Sequence, residues 1–211
     1  MLLTVIDYGV GNLRSIAKSI EKANLENNLN YSVKISSDLI DIKKADKLVL
    51  PGQGSFKACR EGIKKINGLE EELNESVVNK KKPIYGICAG MQIFATTGYE
   101  EEETLGLNWI KGDVVKIKPV TTNLKIPHMG WNELDIKKTS EVFKNVNNKN
   151  HAYFIHSYEF VPKDKEVICL FTNYGKDIVA AVSHENIYGS QFHPEKSQNT
   201  GIKILSNFLK I

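Results

Sequence analysis

Short apolar segments alternate with helical patterns through the first half of the chain, and this alternation limits the possible folds more than any other feature. Strands are predicted at 2–7, 31–36, 47–50 and 83–88. Apolar residues recur at helical spacing between them, which predicts helices over 12–24, 56–66 and 69–80 and the start of another at 91–95. Such alternation favours a parallel sheet with helices on both faces.

The second half of the chain is richer in strands. Strand patterns separated by turn residues occupy 114–117, 151–160, 166–172, 178–183 and 187–192, and a last helix is predicted over 197–209. We expect these strands to extend the first sheet in antiparallel fashion, and we expect residues 145–150 to form an exposed loop. The economical prediction is one α/β domain over residues 1–211.

Charge and composition exclude several classes of function. The net charge is only +3 and the positively charged side chains are scattered along the chain, so we expect no nucleic-acid partner. No apolar run reaches the ~20 residues of a membrane span, and the N-terminus lacks the pattern of a signal peptide. The odd count of 3 cysteines argues against a disulfide framework. These features predict a cytoplasmic protein without a membrane partner.

Cys88 stands in the most informative segment, which reads Gly86-Ile87-Cys88-Ala89-Gly90. An apolar strand precedes it and a helix follows, which is the nucleophile-elbow arrangement with cysteine in place of serine. The tight turn requires small flanking residues, and the start of a helix favours a thiolate. The amide of Ala89 would point at an oxyanion. A buried structural cysteine in a glycine turn is the competing interpretation.

His193 and Glu195 follow the strand at 187–192, with Pro194 between them. If the segment is extended, alternate side chains point the same way, so both could line one site. A cysteine nucleophile needs a base that takes its proton, and that base needs a carboxylate to fix its tautomer. A solvated loop with incidental charges is the alternative for this segment taken alone.

Together these segments resemble the class I, triad-type glutamine amidotransferases. The resemblance implies a flavodoxin-like fold with a mixed, mostly parallel sheet flanked by helices. It also implies a catalytic triad of Cys88, His193 and Glu195, and an oxyanion loop at Pro51-Gly52-Gln53-Gly54. The implied oxyanion donors are the amides of Gln53 and Ala89, and residues Gly52, Gln92, Ser157 and Tyr158 are placed at the bound L-glutamine.

Further segments resemble one branch, the glutaminase subunits of imidazole glycerol phosphate synthase. They are 6–15, 127–132, 153–158 and the ending Phe192-His193-Pro194-Glu195-Lys196-Ser197. The resemblance implies a heterodimer with a (β/α)8-barrel cyclase, ammonia transfer to it, and a role in histidine biosynthesis. No metal or organic cofactor is implied. Trp131 and Tyr153 are placed near the partner interface or ammonia gate, with ordinary core packing as the competing interpretation.

Three alternatives stay open at the level of sequence. A related glutaminase could supply ammonia to another acceptor, such as a sugar-modifying synthase. A non-enzymatic binding module could retain the fold, although the intact triad argues against it. Finally, the glycines at 9–12 could bind phosphate, but the Gly-x-Gly-x-x-Gly spacing is incomplete and Asn12 could instead cap the first helix. His128 and His156 are not expected to bind a metal, because no ligand spacing supports a site.

Overall fold

The computed structural model describes residues 1–118 and 124–211 and is built around an eight-stranded sheet. Its strands are β1 (Leu2–Ile6), β2 (Ser32–Ser36), β3 (Lys47–Leu50), β4 (Ile84–Ile87), β9 (Asp135–Ile136), β12 (Ile168–Asn173), β13 (Asp177–His184) and β14 (Ile187–Ser190). The spatial order is β2-β1-β3-β4-β14-β13-β12-β9. All neighbours from β2 to β14 are parallel, and β13, β12 and β9 continue the sheet in antiparallel pairs.

Helices cover both faces of this sheet. They are α1 (Leu13–Glu26), α2 (Leu39–Lys44), α3 (Phe56–Lys65), α4 (Leu69–Asn74), α5 (Ala89–Gln92) and α6 (Gln198–Lys210). On β3, Leu48 and Leu50 join the core beneath α3 and α4, while Val49 joins the core beneath α1 and α6. This alternation confirms the predicted α/β class, since each strand of a doubly covered sheet buries both of its faces.

Several predicted bounds were wrong for local reasons. The helix α2 was not predicted, because its six residues are too few for a clear periodicity; the Asp38 side chain caps it by accepting from the Ile40 amide. The predicted helix at 69–80 is α4 followed by a π-helical turn, Glu75–Asn79. The helix predicted to start at 91–95 begins instead at Ala89 and is only four residues long.

The predicted single extension of the sheet is wrong for part of the second half. Four strands, β5 (Thr97–Glu100), β6 (Glu102–Leu105), β7 (Gly112–Lys116) and β11 (Tyr158–Pro162), form a separate sheet. Two more, β8 (His128–Glu133) and β10 (His151–His156), pair as an antiparallel ribbon. The predicted strand at 151–160 is therefore two strands, because the chain leaves the ribbon at Ser157 and enters the four-stranded sheet. Residues 145–150 form a loop, as predicted, although Val146 is buried.

Candidate active site

Cys88 lies in the turn between β4 and α5, with φ 54° and ψ −115°. A positive φ is costly for a residue other than glycine, and such strain is typical of residues that a site holds in place. The flanking glycines are required by space: a Cβ on Gly86 would lie 2.6 Å from the Phe94 ring, and one on Gly90 would lie 2.1 Å from the Leu50 carbonyl oxygen. The structure thus has the predicted elbow, and the Cys88 side chain is held at its tip.

The pairing of β14 with β4 brings the second motif to the elbow. Ser190 lies opposite Ile87, and the Ser190 carbonyl accepts the Cys88 amide at 2.8 Å. Parallel neighbours end at the same edge of the sheet, so the residues after both strands meet there. The expectation of an extended segment after His193 was wrong, because Pro194–Lys196 forms a 3-10 turn. The turn nevertheless brings Glu195 back to His193.

His193 stands between a carboxylate and the thiol. Its Nδ1 lies 2.8 Å from Oε1 of Glu195, and an ionised carboxylate only accepts, so Nδ1 carries the hydrogen and Nε2 is left for Cys88. Burial would lower the pKa of His193, but hydrogen bonds and charge interactions with Cys88 and Glu195 outweigh it and raise the pKa above its usual value. His193 is therefore placed and tuned to take the proton of the Cys88 thiol.

Two glutamines form a polar bridge beside the thiol. The Gln92 amide nitrogen donates to the Tyr158 carbonyl and to Gln191 Oε1, both at 2.9 Å. The Gln191 amide nitrogen lies 3.5 Å from Cys88 Sγ. Sequence reasoning missed Gln191, although it stands two residues before His193 and directly follows β14. Since both Nε2 hydrogens of Gln92 are occupied, its Oε1 remains to accept from a ligand.

A cavity of about 310 Å³ opens over these groups. Its walls include most of the site residues predicted from sequence, namely Gln53, Cys88, Ala89, Gln92, Ser157, Tyr158, His193 and Glu195. Gly54 of the predicted oxyanion loop also lines the cavity. Residues that were not predicted there are Asn12, Glu100, Pro127, Ile155, His156 and Lys196. Asn12 does stand at the N-terminal end of α1, but its side chain makes no capping bond, so the capping interpretation was wrong.

The loop at 51–54 packs directly on the elbow. A Cβ on Gly52 would lie 1.9 Å from the Gly90 nitrogen, so glycine is needed where the two backbones meet. The Tyr8 hydroxyl donates to the Pro51 carbonyl beneath the loop. Burial raises the pKa of the Cys59 thiol to about 11, and a hydrogen bond from the Gln53 backbone offsets part of this rise. Gln53 itself lines the cavity.

Trp131 and Tyr153 lie outside the cavity, on the outer face of the β8–β10 ribbon. They are directly paired across it, with ring centroids 6.1 Å apart. Trp131 is 47% exposed, and Met129 and Ile155 on the same face are 63% and 39% exposed. The core-packing interpretation of Trp131 is therefore wrong.

The described residues, 1–118 and 124–211, contain neither a cluster of metal ligands nor a membrane-spanning helix. In these ranges no three or more His, Cys, Asp and Glu side chains cluster closely enough to hold a metal ion. No helix within them has both the length and the apolar character needed to cross a membrane. Cys59, Cys88 and Cys169 are all buried free thiols.

Comparisons with known proteins place this chain in a family. Residues 4–211 match the family described as glutamine amidotransferase class-I. The imidazole glycerol phosphate synthase subunit HisH of Pelagibacter ubique (strain HTCC1062) is 50% identical over 211 residues, which cover 100% of both chains. The chain belongs to the HisH branch of the class-I glutamine amidotransferases. The HisH subunit of Brucella suis biovar 1 (strain 1330) is 41% identical to this amidotransferase over 213 residues, covering 100% of this chain and 99% of the relative.

A solved structure shows that this amidotransferase shares its fold with a more distant protein. A glutamine amidotransferase from Thermotoga maritima superposes with a TM-score of 0.64, covering 92% of this chain and 76% of that chain. The two sequences are 16% identical, so this likeness concerns the fold alone.

Proposed function

We propose that this amidotransferase is the glutaminase subunit of an imidazole glycerol phosphate synthase. It hydrolyses L-glutamine to glutamate and ammonia and passes the ammonia to a (β/α)8-barrel cyclase subunit, which makes imidazole glycerol phosphate and aminoimidazole carboxamide ribotide in histidine biosynthesis. The observation that carries the proposal is the meeting of Cys88 with the His193–Glu195 pair at one cavity wall, in a chain 50% identical to a HisH subunit.

The first half of the reaction forms a thioester. Cys88 Sγ attacks the side-chain amide carbon of glutamine, and the thiol proton goes to Nε2 of His193. The carbonyl oxygen becomes an oxyanion, which the amides of Ala89 and Gln53 stabilise. His193 then protonates the leaving nitrogen, the carbon–nitrogen bond breaks, and ammonia departs. Glu195 keeps His193 in the tautomer that this transfer needs.

The second half regenerates the thiol. Water attacks the thioester carbon and His193 takes a proton from the water. The carbon–sulfur bond then breaks to release glutamate, and His193 returns the proton to Sγ of Cys88. Gln92, Ser157 and Tyr158 hold the amino-acid end of glutamine during both steps, and Gly52 lets the loop approach the substrate. Gln92 supports this role through its unoccupied Oε1, which can accept from the substrate ammonium group.

The oxyanion loop is the proposed point of control. Glycines flank Gln53, and Gly54 adopts a φ of 96°, so the peptide at Gln53 can take either of two orientations at low cost. In the resting orientation one of the two oxyanion donors is turned away from Cys88. One missing donor lowers the rate by about 10²–10³. The cyclase with its ribotide binds more tightly when the loop is in the productive orientation. Its binding therefore shifts the loop toward that orientation. Glutamine is then hydrolysed chiefly when an acceptor for ammonia is present.

The outer face of the β8–β10 ribbon is the proposed contact with the cyclase. Met129, Trp131, Tyr153 and Ile155 form an apolar strip there, and exposed aromatic anchors are typical of protein interfaces. Lys196, which lies over the Tyr153 ring at 5.4 Å, joins this strip to the cavity. Trp131 and Tyr153 thus flank the path that ammonia takes to the partner.

We further propose that this amidotransferase is a single domain, acts in the cytoplasm and needs no cofactor. A single domain over residues 1–211 is supported by the sheet itself, because β14 from the end of the chain pairs with β4 from its first half. A cytoplasmic location is supported by the three free cysteines, since free thiols persist in reducing compartments. The mechanism assigns every step to side chains and backbone amides of this chain and calls for no cofactor.

The test is glutamate release by three samples: the isolated glutaminase, the glutaminase with the cyclase, and the pair with the cyclase's ribotide ligand. We expect weak activity from the isolated glutaminase and a rise of about 10²–10³ in the liganded complex. Rates within a few-fold of one another in all three samples would contradict gating and favour an autonomous amidase. No glutamate release in any sample would contradict the glutaminase assignment itself.

A further inference from the structure

The inner face of the β8–β10 ribbon carries a buried line of hydrogen bonds that no step of the mechanism uses. His128 and His156 lie opposite each other across the ribbon, and Nδ1 of His128 is 2.9 Å from Nε2 of His156. Nδ1 of His156 is 2.9 Å from the Tyr158 carbonyl oxygen. At the other end, the Asn132 amide nitrogen is 3.1 Å from Nε2 of His128 and 2.8 Å from the Asn173 carbonyl oxygen.

The partners fix the direction of every bond in this line. Asn132 Oδ1 accepts from the Glu133 amide at 2.8 Å, so the Asn132 amide nitrogen is the donor and Nε2 of His128 accepts. Nδ1 of His128 then carries the hydrogen and donates to Nε2 of His156, whose own Nδ1 donates to the Tyr158 carbonyl. The two hydrogens of the Asn132 amide go to His128 and to Asn173. Both histidines are thus neutral and hold the Nδ1–H tautomer.

Packing holds the rings in these positions. The His128 ring is stacked between Phe154 at 4.7 Å and Tyr174 at 4.1 Å. His128 and His156 are only 2% and 6% exposed. Burial lowers the pKa of His128 to about 4 and that of His156 to about 3, which agrees with the neutral rings that the hydrogen bonds require.

The two ends of the line lie at different functional surfaces. At one end the Tyr158 carbonyl accepts from His156 and also from Gln92, so it is bound from two sides in the cavity wall. At the other end Asn132 follows Trp131 on β8, the strand whose outer face carries the exposed apolar residues. A shift of β8 therefore reaches the cavity wall through side chains alone.

We propose that His128 and His156 are positioning residues for glutamine binding. They fix the wall formed by Ser157 and Tyr158 and tie it to the strand that faces the partner. The inference rests on the proposed function, because it assigns glutamine to this cavity and the cyclase to the outer face. Neither histidine exchanges a proton with the substrate.

Replacements of His156 separate its support of the cavity wall from its link to strand β8. In His156→Leu both bonds of the ring are lost, so the KM for glutamine of the isolated glutaminase should rise about 10-fold, the equivalent of one hydrogen bond, while kcat changes less than threefold. The amide nitrogen of the Asn variant, His156→Asn, can replace Nδ1 as donor to Tyr158 but cannot reach His128. It should restore the KM and still lose part of the activation by the liganded cyclase. His128→Leu should behave like His156→Asn.

Nitrogen NMR of the imidazole rings tests the same inference in the unaltered protein. We expect two histidines in the neutral Nδ1–H tautomer at pH 7, and a shift of the His156 ring signals when the cyclase binds. A charged ring or an Nε2–H tautomer at either residue would overturn the proposal, and so would an unchanged KM in His156→Leu. Results that overturn this proposal would still leave the glutaminase assignment intact. That assignment fails only if the wild-type protein releases no glutamate.

Discussion

The backbone amide of His193 donates to the carbonyl of Tyr153, with nitrogen and oxygen 2.9 Å apart. Ser197 completes the link: its Oγ accepts from the Tyr153 amide at 3.0 Å and donates to the His193 carbonyl at 2.7 Å. Strand β10 therefore carries the half-buried Tyr153 ring on its outer side, and its backbone holds the backbone of the proposed base. A partner that binds at Tyr153 and shifts it would therefore also shift His193, because three hydrogen bonds connect the two residues through Ser197.

Replacement of Cys88 tests the division of labour between the two proteins. Cys88→Ala should abolish glutamine-dependent synthesis by the complex, because the nucleophile is gone, and should spare synthesis from added ammonia. The assay is product formation by the complex with each nitrogen source. Cys169→Ala is the matched control, since it removes a buried free thiol that is not among the cavity residues. Loss of both activities in an assembled Cys88→Ala complex would contradict the proposed division.

The base and its carboxylate should differ in their contributions. His193→Ala should lower glutaminase turnover by about 10²–10⁴, the usual contribution of general acid–base catalysis. Glu195→Ala should cost less than Cys88→Ala, because Glu195 orients the imidazole and does not react. Steady-state glutamate release from the liganded complex measures each effect. Wild-type rates in either variant would remove that residue from the triad.

Stability should fall as the pH drops below the ordinary pKa of histidine. The pKa of His128 and His156 is lowered by burial to about 4 and about 3, so below pH ~6.5 the unfolded chain binds protons that the folded chain does not. The free energy of unfolding should then decrease by up to ~1.4 kcal/mol per pH unit for each histidine.

Urea unfolding between pH 7 and pH 5.5 measures this slope, in a range above the ordinary pKa of carboxyl groups. In His128→Leu one of the two titrating rings is absent, so the slope should be shallower than in the wild type. An equal slope in the two proteins would show that His128 already binds its proton in the folded state.

Trp131→Ala should weaken binding of the cyclase by about 30-fold or more, as expected for a buried aromatic anchor that contributes ~2 kcal/mol. Leu105→Ala is a suitable control, because Leu105 is 65% exposed on β6, in a different sheet. Calorimetric titration with the purified cyclase gives both affinities. Equal losses in the two variants would show that the ribbon has no special part in the interface.

The local parts of the site could be predicted from sequence. Glycines at 86 and 90 around Cys88, after an apolar strand, already require a tight turn with the cysteine at its tip. His193 and Glu195 were paired on an extended backbone, and the 3-10 turn at Pro194 brings them together by another route. Local sterics, which act between near neighbours in the chain, explain this success.

The non-local parts could not be predicted. His128 and His156 are 28 residues apart, and only the antiparallel register of β8 and β10 sets them opposite each other. The apolar pattern at 151–160 continues through Ser157, so nothing in it marks the change of sheet. Pairing register depends on the partner strand and on the turns, which the periodicity of a single strand does not contain.

The position of β14 inside the main sheet affects the order of events during synthesis. This strand lies between β4 and β13 and supplies the carbonyl that binds the Cys88 amide. A nascent chain that has already formed β1 to β4 therefore has a cysteine but neither its base nor the neighbouring strand. Because domains form as the chain emerges from the N-terminal side, the capacity to hydrolyse glutamine arises only when residues 187–195 have left the ribosome. Unfinished chains thus cannot consume the cell's glutamine.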